Sequence, residues 1–168
     1  MTLDGVFEFA KPEGYKMFRD LGDGETIFMF FKEEGEFPSQ TSFFYNDKVY
    51  GNALELETRI NQFFKYFLVG RGVKMEINKI EDGMIDGRNA LLVYSSGENP
   101  YRNEKVKAMG YFYKLGQYIV SLACTQWRTM DGEFDQKRFQ EFETFANSFK
   151  YLKKPFYEEV EARINELK

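Results

Sequence analysis

Apolar and polar positions along the chain alternate mostly with a period of two, and in a few stretches with a period of three to four. Residues 6–10 alternate with Phe7 and Phe9 on one face, then turn at Pro12-Glu13-Gly14 into residues 15–18. Residues 26–31 hold the unbroken run Ile27-Phe28-Met29-Phe30-Phe31, the pattern of a central strand covered on both faces. A shorter strand is predicted at 41–45. Val73, Met75 and Ile77 alternate along 73–80, and Ala90-Leu91-Leu92-Val93-Tyr94 marks a strand over 88–95. Residues 105–114 and 117–125 follow, separated at Leu115-Gly116 by a connection short enough for a hairpin. The sum is an antiparallel sheet of about six or more strands.

Two helical stretches interrupt this pattern, and a third ends the chain. Asn52-Ala53-Leu54-Glu55 reads as a capping box, after which Leu56, Ile60, Phe63, Phe64 and Phe67 form one stripe that Gly70 closes. A second helix is predicted after Asp131-Gly132, with Phe139, Phe142, Phe145, Ala146 and Phe149 sharing a face and Lys137, Arg138, Glu141 and Glu143 pointing outward. Pro155 suits the first turn of a third, which carries Tyr157, Val160, Ile164 and Leu167 on one side. The chain is thus expected to form a single domain over 1–152 and an amphipathic helical extension over 153–168. Strands followed by helices able to cover both faces predict an α+β fold, an α/β/α sandwich with a C-terminal helix. Asp-Gly recurs five times, at residues 4, 23, 82, 86 and 131, each time as a turn signal.

The 168 residues fit one domain. Phe 19, Tyr 11 and Trp 1 make 18% of the chain aromatic, and there is no His. That absence excludes Ser-His-Asp and Cys-His nucleophile systems, imidazole acid–base chemistry and His-ligated metals. One Cys excludes an internal disulfide and a thiolate zinc cage. A net charge of −4 argues against general affinity for nucleic acid or anionic lipid. No apolar run reaches the roughly 20 residues of a membrane span. Residues 1–5 lack a basic and apolar leader, so a cytoplasmic protein is expected; an exported form cleared of its leader would read the same.

Candidate chemistry is sparse. Cys124 alternates with Tyr118, Val120 and Leu122, which suggests a buried hydrophobe rather than a reactive thiol. The acidic stretches 20–25 and 81–87 lack the every-second-position oxygens and closing Glu of a calcium loop and read as hairpin turns. Gly70-Arg71-Gly72 ends a helix rather than opening one, so it is no phosphate cradle. Arg102, Lys105, Lys107 and Lys114, interleaved with Tyr101, Tyr111 and Tyr113, could form a basic aromatic face, but Lys105 and Lys107 also suit the protection of an edge strand. No catalytic, metal or cofactor residue is assigned. The phenylalanine stripes of the first two helices are expected to pack on opposite sheet faces, each buried ring contributing about 1.5–3 kcal/mol.

The element order resembles the PsbP/Mog/DcrB-like superfamily. Val6-Phe7-Glu8-Phe9-Ala10-Lys11-Pro12-Glu13-Gly14-Tyr15 is similar to that family's entrance, a strand, Pro-x-Gly-aromatic and a second strand. Phe139-x-x-Phe142 followed by Phe145-x-x-Ser148-Phe149 is similar to its terminal helix, which usually ends in Ser-Phe, and Arg88-Asn89-Ala90 agrees with its middle. The resemblance covers roughly residues 5–152. Its members are mostly non-enzymatic and include bacterial envelope or secretion-chaperone relatives, and the resemblance implies binding or assembly.

A protein-binding module with an aromatic-rich surface or groove is therefore expected, with carriage of a small apolar ligand as the alternative. Trp127, placed in a loop beside Arg128, is a candidate contact anchor. Tyr157, Val160, Ile164 and Leu167 offer an apolar seam that could dock on the chain's own sheet or pair two copies.

Overall fold

The structure is a computed structural model and describes residues 1–3, 7–22, 25–49, 55–67, 72–115 and 118–152. Short strands β1 (Thr2–Leu3) and β2 (Phe7–Glu8) lead into β3 (Lys16–Gly22), β4 (Glu25–Glu33) and β5 (Gln40–Val49). Helix α1 (Leu56–Phe67) separates them from β6 (Lys74–Ile85), β7 (Arg88–Asn99), β8 (Glu104–Leu115) and β9 (Tyr118–Arg128). Helix α2 (Gln136–Asn147) and β10 (Lys150–Tyr151) close the described chain. The fold is α+β: seven antiparallel strands in the order β3-β4-β5-β9-β8-β7-β6, with β1-β2-β10 as a small second sheet.

Each helix has local causes. In α1 the three-to-four spacing buries Ile60, Phe63 and Phe64, and Glu57 sits in the first turn, where the helix dipole favours an acid. The expected cap at Asn52 lies outside the described residues. Helix α2 begins where the Asp135 carboxylate accepts from the Lys137 amide at 2.9 Å. At its other end the Ser148 hydroxyl donates to Phe145 O at 2.6 Å and accepts from the Ala10 amide at 2.8 Å. This bond ties the entrance strand to the helix end, and Phe149 then stacks between Phe9 and Tyr45, 5.9 and 5.2 Å away.

Two hydrophobic clusters form the core. Phe139, Phe142, Phe145 and Phe149 join Met109, Tyr111 and Tyr113 of β8 and Val120, Leu122 and Cys124 of β9. Ile60, Phe63 and Phe64 join Val106, Ala108 and Phe112 of β8 and Ala123 and Trp127 of β9. The two clusters draw on alternate residues of β8 and β9.

Several expectations need correction. The segment at 41–45 is part of a ten-residue strand inside the sheet, paired with both β4 and β9. Its pattern is masked because Thr41, Ser42, Asn46 and Asp47 are buried polar residues. The run at 26–31 is not central: β4 neighbours the edge strand β3, and Met29 and Phe31 are only half-buried. Asp82-Gly83 lies within β6 and makes no turn. A Cβ at Gly83 would stand 3.1 Å from Tyr111 Cε1, so the glycine makes room for that ring. The turn is at Asp86-Gly87, with φ of 49° and 70°, the left-handed pair of a tight hairpin. Lys105 and Lys107 lie on β8, an interior strand, not on an edge. The helix expected over 153–168 and the turn signals at residues 4 and 23 lie outside the described residues.

Candidate functional site

One register row crosses the whole seven-stranded sheet. Phe18 pairs with Met29, Met29 with Phe44 and Phe44 with Ala123. The row continues through Gly110 and Val93 to Ile80. All seven residues are apolar, and they face the side on which α1 packs, since Val93 and Ala123 belong to its cluster. The interior of the row is enclosed, with Val93 at 0% exposure and Ala123 at 1%. Its two ends are open: Phe18 on β3 is 51% exposed and Ile80 on β6 is 45% exposed. In the neighbouring row Phe31 is half-buried, with the Lys16 ammonium 5.8 Å over its ring. Met84, further along β6, is exposed as well. Edge strands usually carry charge at such positions to discourage association.

Behind the β3 end lies a buried polar network. The Arg128 guanidinium donates to Glu34 Oε2 at 2.7 Å, to Trp127 O at 2.7 Å and to Gln126 Oε1 at 3.0 Å. Arg138 donates to the other Glu34 oxygen and to both Glu141 oxygens at 2.9 and 3.0 Å, and Tyr15 Oη donates to Glu141 at 2.9 Å. Burial would raise the Glu34 carboxyl, but the Thr41 hydroxyl and the two guanidinium groups outweigh it and hold it below its usual value. Burial and the bond to Glu141 push the Tyr15 phenol up.

A tyrosine cluster secures β10. Tyr113 and Tyr151 hydroxyls lie 2.8 Å apart, and Tyr45 donates to Asp47 at 2.7 Å. The Arg88 guanidinium stands 5.1 Å over the Tyr151 ring, and Asp86 accepts from the Tyr151 amide at 3.1 Å.

On the side that carries α2, a hollow of about 160 Å³ opens between the helix and strands β6–β8. Tyr94, Met109 and Phe139 form its apolar wall, with Lys107, Glu143 and Asn78 around them.

Trp127 and Arg128 are the last two residues of β9, not part of a loop. The strand runs that far because Trp127 pairs with Gln40 and Val106 and its indole, 4% exposed, completes the α1 cluster. Tyr157, Val160, Ile164 and Leu167 lie outside the described residues. Cys124 is fully buried, and burial pushes its thiol well above the ordinary value. Tyr111 and Tyr113 are buried, Lys114 points away from Lys105 and Lys107, and Arg102 lies 3.8 Å from Glu104, so these residues form no continuous basic face. Among the described residues no group of three His, Cys, Asp or Glu side chains could hold a metal ion. No helix among them is long and apolar enough to cross a membrane.

The apolar row was not legible in the sequence, because an apolar residue in a strand reads as core until strand order is known. Phe18 alternates with Met17, which packs inward against the α2 cluster.

No protein family matches the sequence, and no curated protein matches it. Among solved structures the chain is similar to a Bacteroides thetaiotaomicron VPI-5482 protein, with a TM-score of 0.53 at 10% identity over 92% of this chain. The chain spans about half the length of that protein, 48%. It is also similar to a protein of unknown function from Pseudomonas aeruginosa, PA94, with a TM-score of 0.44 at 12% identity over 67% of this chain and 82% of that one. A third is LpqN of Mycobacterium tuberculosis, involved in cell envelope biogenesis, with a TM-score of 0.45 at 7% identity over 87% of this chain and 90% of that one. At such identities the Bacteroides likeness speaks for the fold alone.

Proposed function

We propose that this chain is a protein-binding module of the PsbP/Mog/DcrB-like type, which acts in assembly or as a chaperone and performs no chemistry of its own. The observation that carries the reading is the apolar row whose strongly exposed members, Phe18 and Ile80, stand on the two edge strands. An exposed ring beside half-buried Met29 and Phe31 is the composition of a contact surface, with large apolar groups at a sheet edge. Trp127 and Arg128 are buried and form no part of that exposed surface. The layered architecture of the type, a sheet between α1 and α2, is supported by the division of β8 and β9 side chains between two clusters. A helix formed by 153–168 would add a second apolar seam, offered to the chain's own sheet or to a second copy. Photo-crosslinking from position 18 tests the reading, with Tyr101, fully exposed on a turn, as the control.

A second reading, carriage of a small apolar ligand, is favoured by the hollow beside Tyr94, Met109 and Phe139. At about 160 Å³ it takes one ring or short side chain, not a lipid tail.

A further inference from the structure

We infer that the hollow between α2 and strands β6–β8 binds a free α-amino acid with an apolar side chain, a role separate from partner recognition at the sheet edges. Two opposite charges border it without meeting: Lys107 of β8 and Glu143 of α2. Among the described residues neither forms an ion pair; the Lys107 ammonium stands 5.4 Å over the Phe134 ring, which lines an adjoining hollow, and turns from there to meet a ligand in this one. The Glu143 charge acts on this hollow's surroundings, since after burial it is the largest influence raising the Tyr111 phenol.

A ligand that satisfies both walls must carry both charges. A simple anion would pair with Lys107 and be repelled by Glu143; a simple cation would meet the reverse. The α-carboxylate of an amino acid pairs with Lys107 and with the Asn78 amide group, whose own oxygen already accepts from Ser96 Oγ at 3.0 Å. Its ammonium pairs with Glu143. The side chain lies against Tyr94, Met109 and Phe139, and a volume of about 160 Å³ accommodates one the size of leucine or phenylalanine.

Calorimetric titration of the full chain with L-leucine and L-phenylalanine tests this, with N-acetyl-L-leucine (no cation) and L-leucinamide (no carboxylate) as matched analogues. Lys107 is exposed and Glu143 half-buried with no ion pair among the described residues, so Lys107→Gln and Glu143→Gln should keep the fold, which circular dichroism checks. The expected result is saturable binding of the free amino acids, weakened about tenfold or more by acetylation or amidation. Glu143→Gln should erase the penalty for acetylation alone, and Lys107→Gln the penalty for amidation alone. No saturable binding of either amino acid, or unchanged affinity in both variants, would overturn the inference. Either result leaves the crosslinking test at position 18 untouched.

Discussion

Arg128 Nη2 donates to Glu34 Oε2 at 2.7 Å across 94 positions of the chain. Glu34 follows the end of β4, Arg128 ends β9, and Arg138 on α2 takes the other Glu34 oxygen, so one carboxylate joins the sheet to the helix. Glu34→Gln should cost about 3 kcal/mol in urea unfolding, because it leaves the enclosed Arg128 guanidinium without its anion, while Arg138 keeps Glu141.

The same carboxylate should make stability depend on pH. Its folded pKa lies below the ordinary carboxylate value, so on acidification the unfolded chain takes up the proton first. The Glu34 contribution is fully present above the unfolded value and is lost as pH falls through the folded one. Unfolding midpoints measured from pH 7 down to about 3 should fall steeply in the parent and less steeply in Glu34→Gln.

Two phenylalanines should behave oppositely. Phe149 is fully buried between Phe9 and Tyr45, and Phe149→Ala should cost about 3–5 kcal/mol. Phe18 is half open to solvent, and Phe18→Ser should change stability by about 0.5 kcal/mol or less. A comparable loss at both positions in thermal unfolding would show that Phe18 is core.

Gly83→Val should destabilise by about 1–3 kcal/mol, since its side chain meets the buried Tyr111 ring. Near-ultraviolet circular dichroism should show the tyrosine environment disturbed.

Much of the fold was legible because its cause is local. The period-two and three-to-four patterns mark the strands from residue 73 onward and the two described helices, and Ser148-Phe149 marks the join between α2 and the entrance strand. Strand order was hidden, because Phe28 and Phe30 read alike whether β4 lies at the centre or next to an edge. Strand β5 was partly concealed by polar residues that the core holds, Thr41, Ser42, Asn46 and Asp47. Trp127 reads as a loop anchor beside a cation, yet Arg128 is spent on backbone carbonyls, Gln126 and Glu34. The exposed end of the row at Phe18 follows from β3 being an edge, a fact of long-range pairing that no local pattern carries.

The most direct measurement places a photo-crosslinking phenylalanine analogue at position 18 in the cells that make the protein, and the same analogue at position 101. A protein-binding module should yield one discrete protein adduct from position 18, either another protein or a second copy of this chain. That adduct should be lost when Phe31→Asp is added and be absent from position 101. No adduct from position 18, or the same adducts from both positions, would contradict a contact surface at the sheet edge.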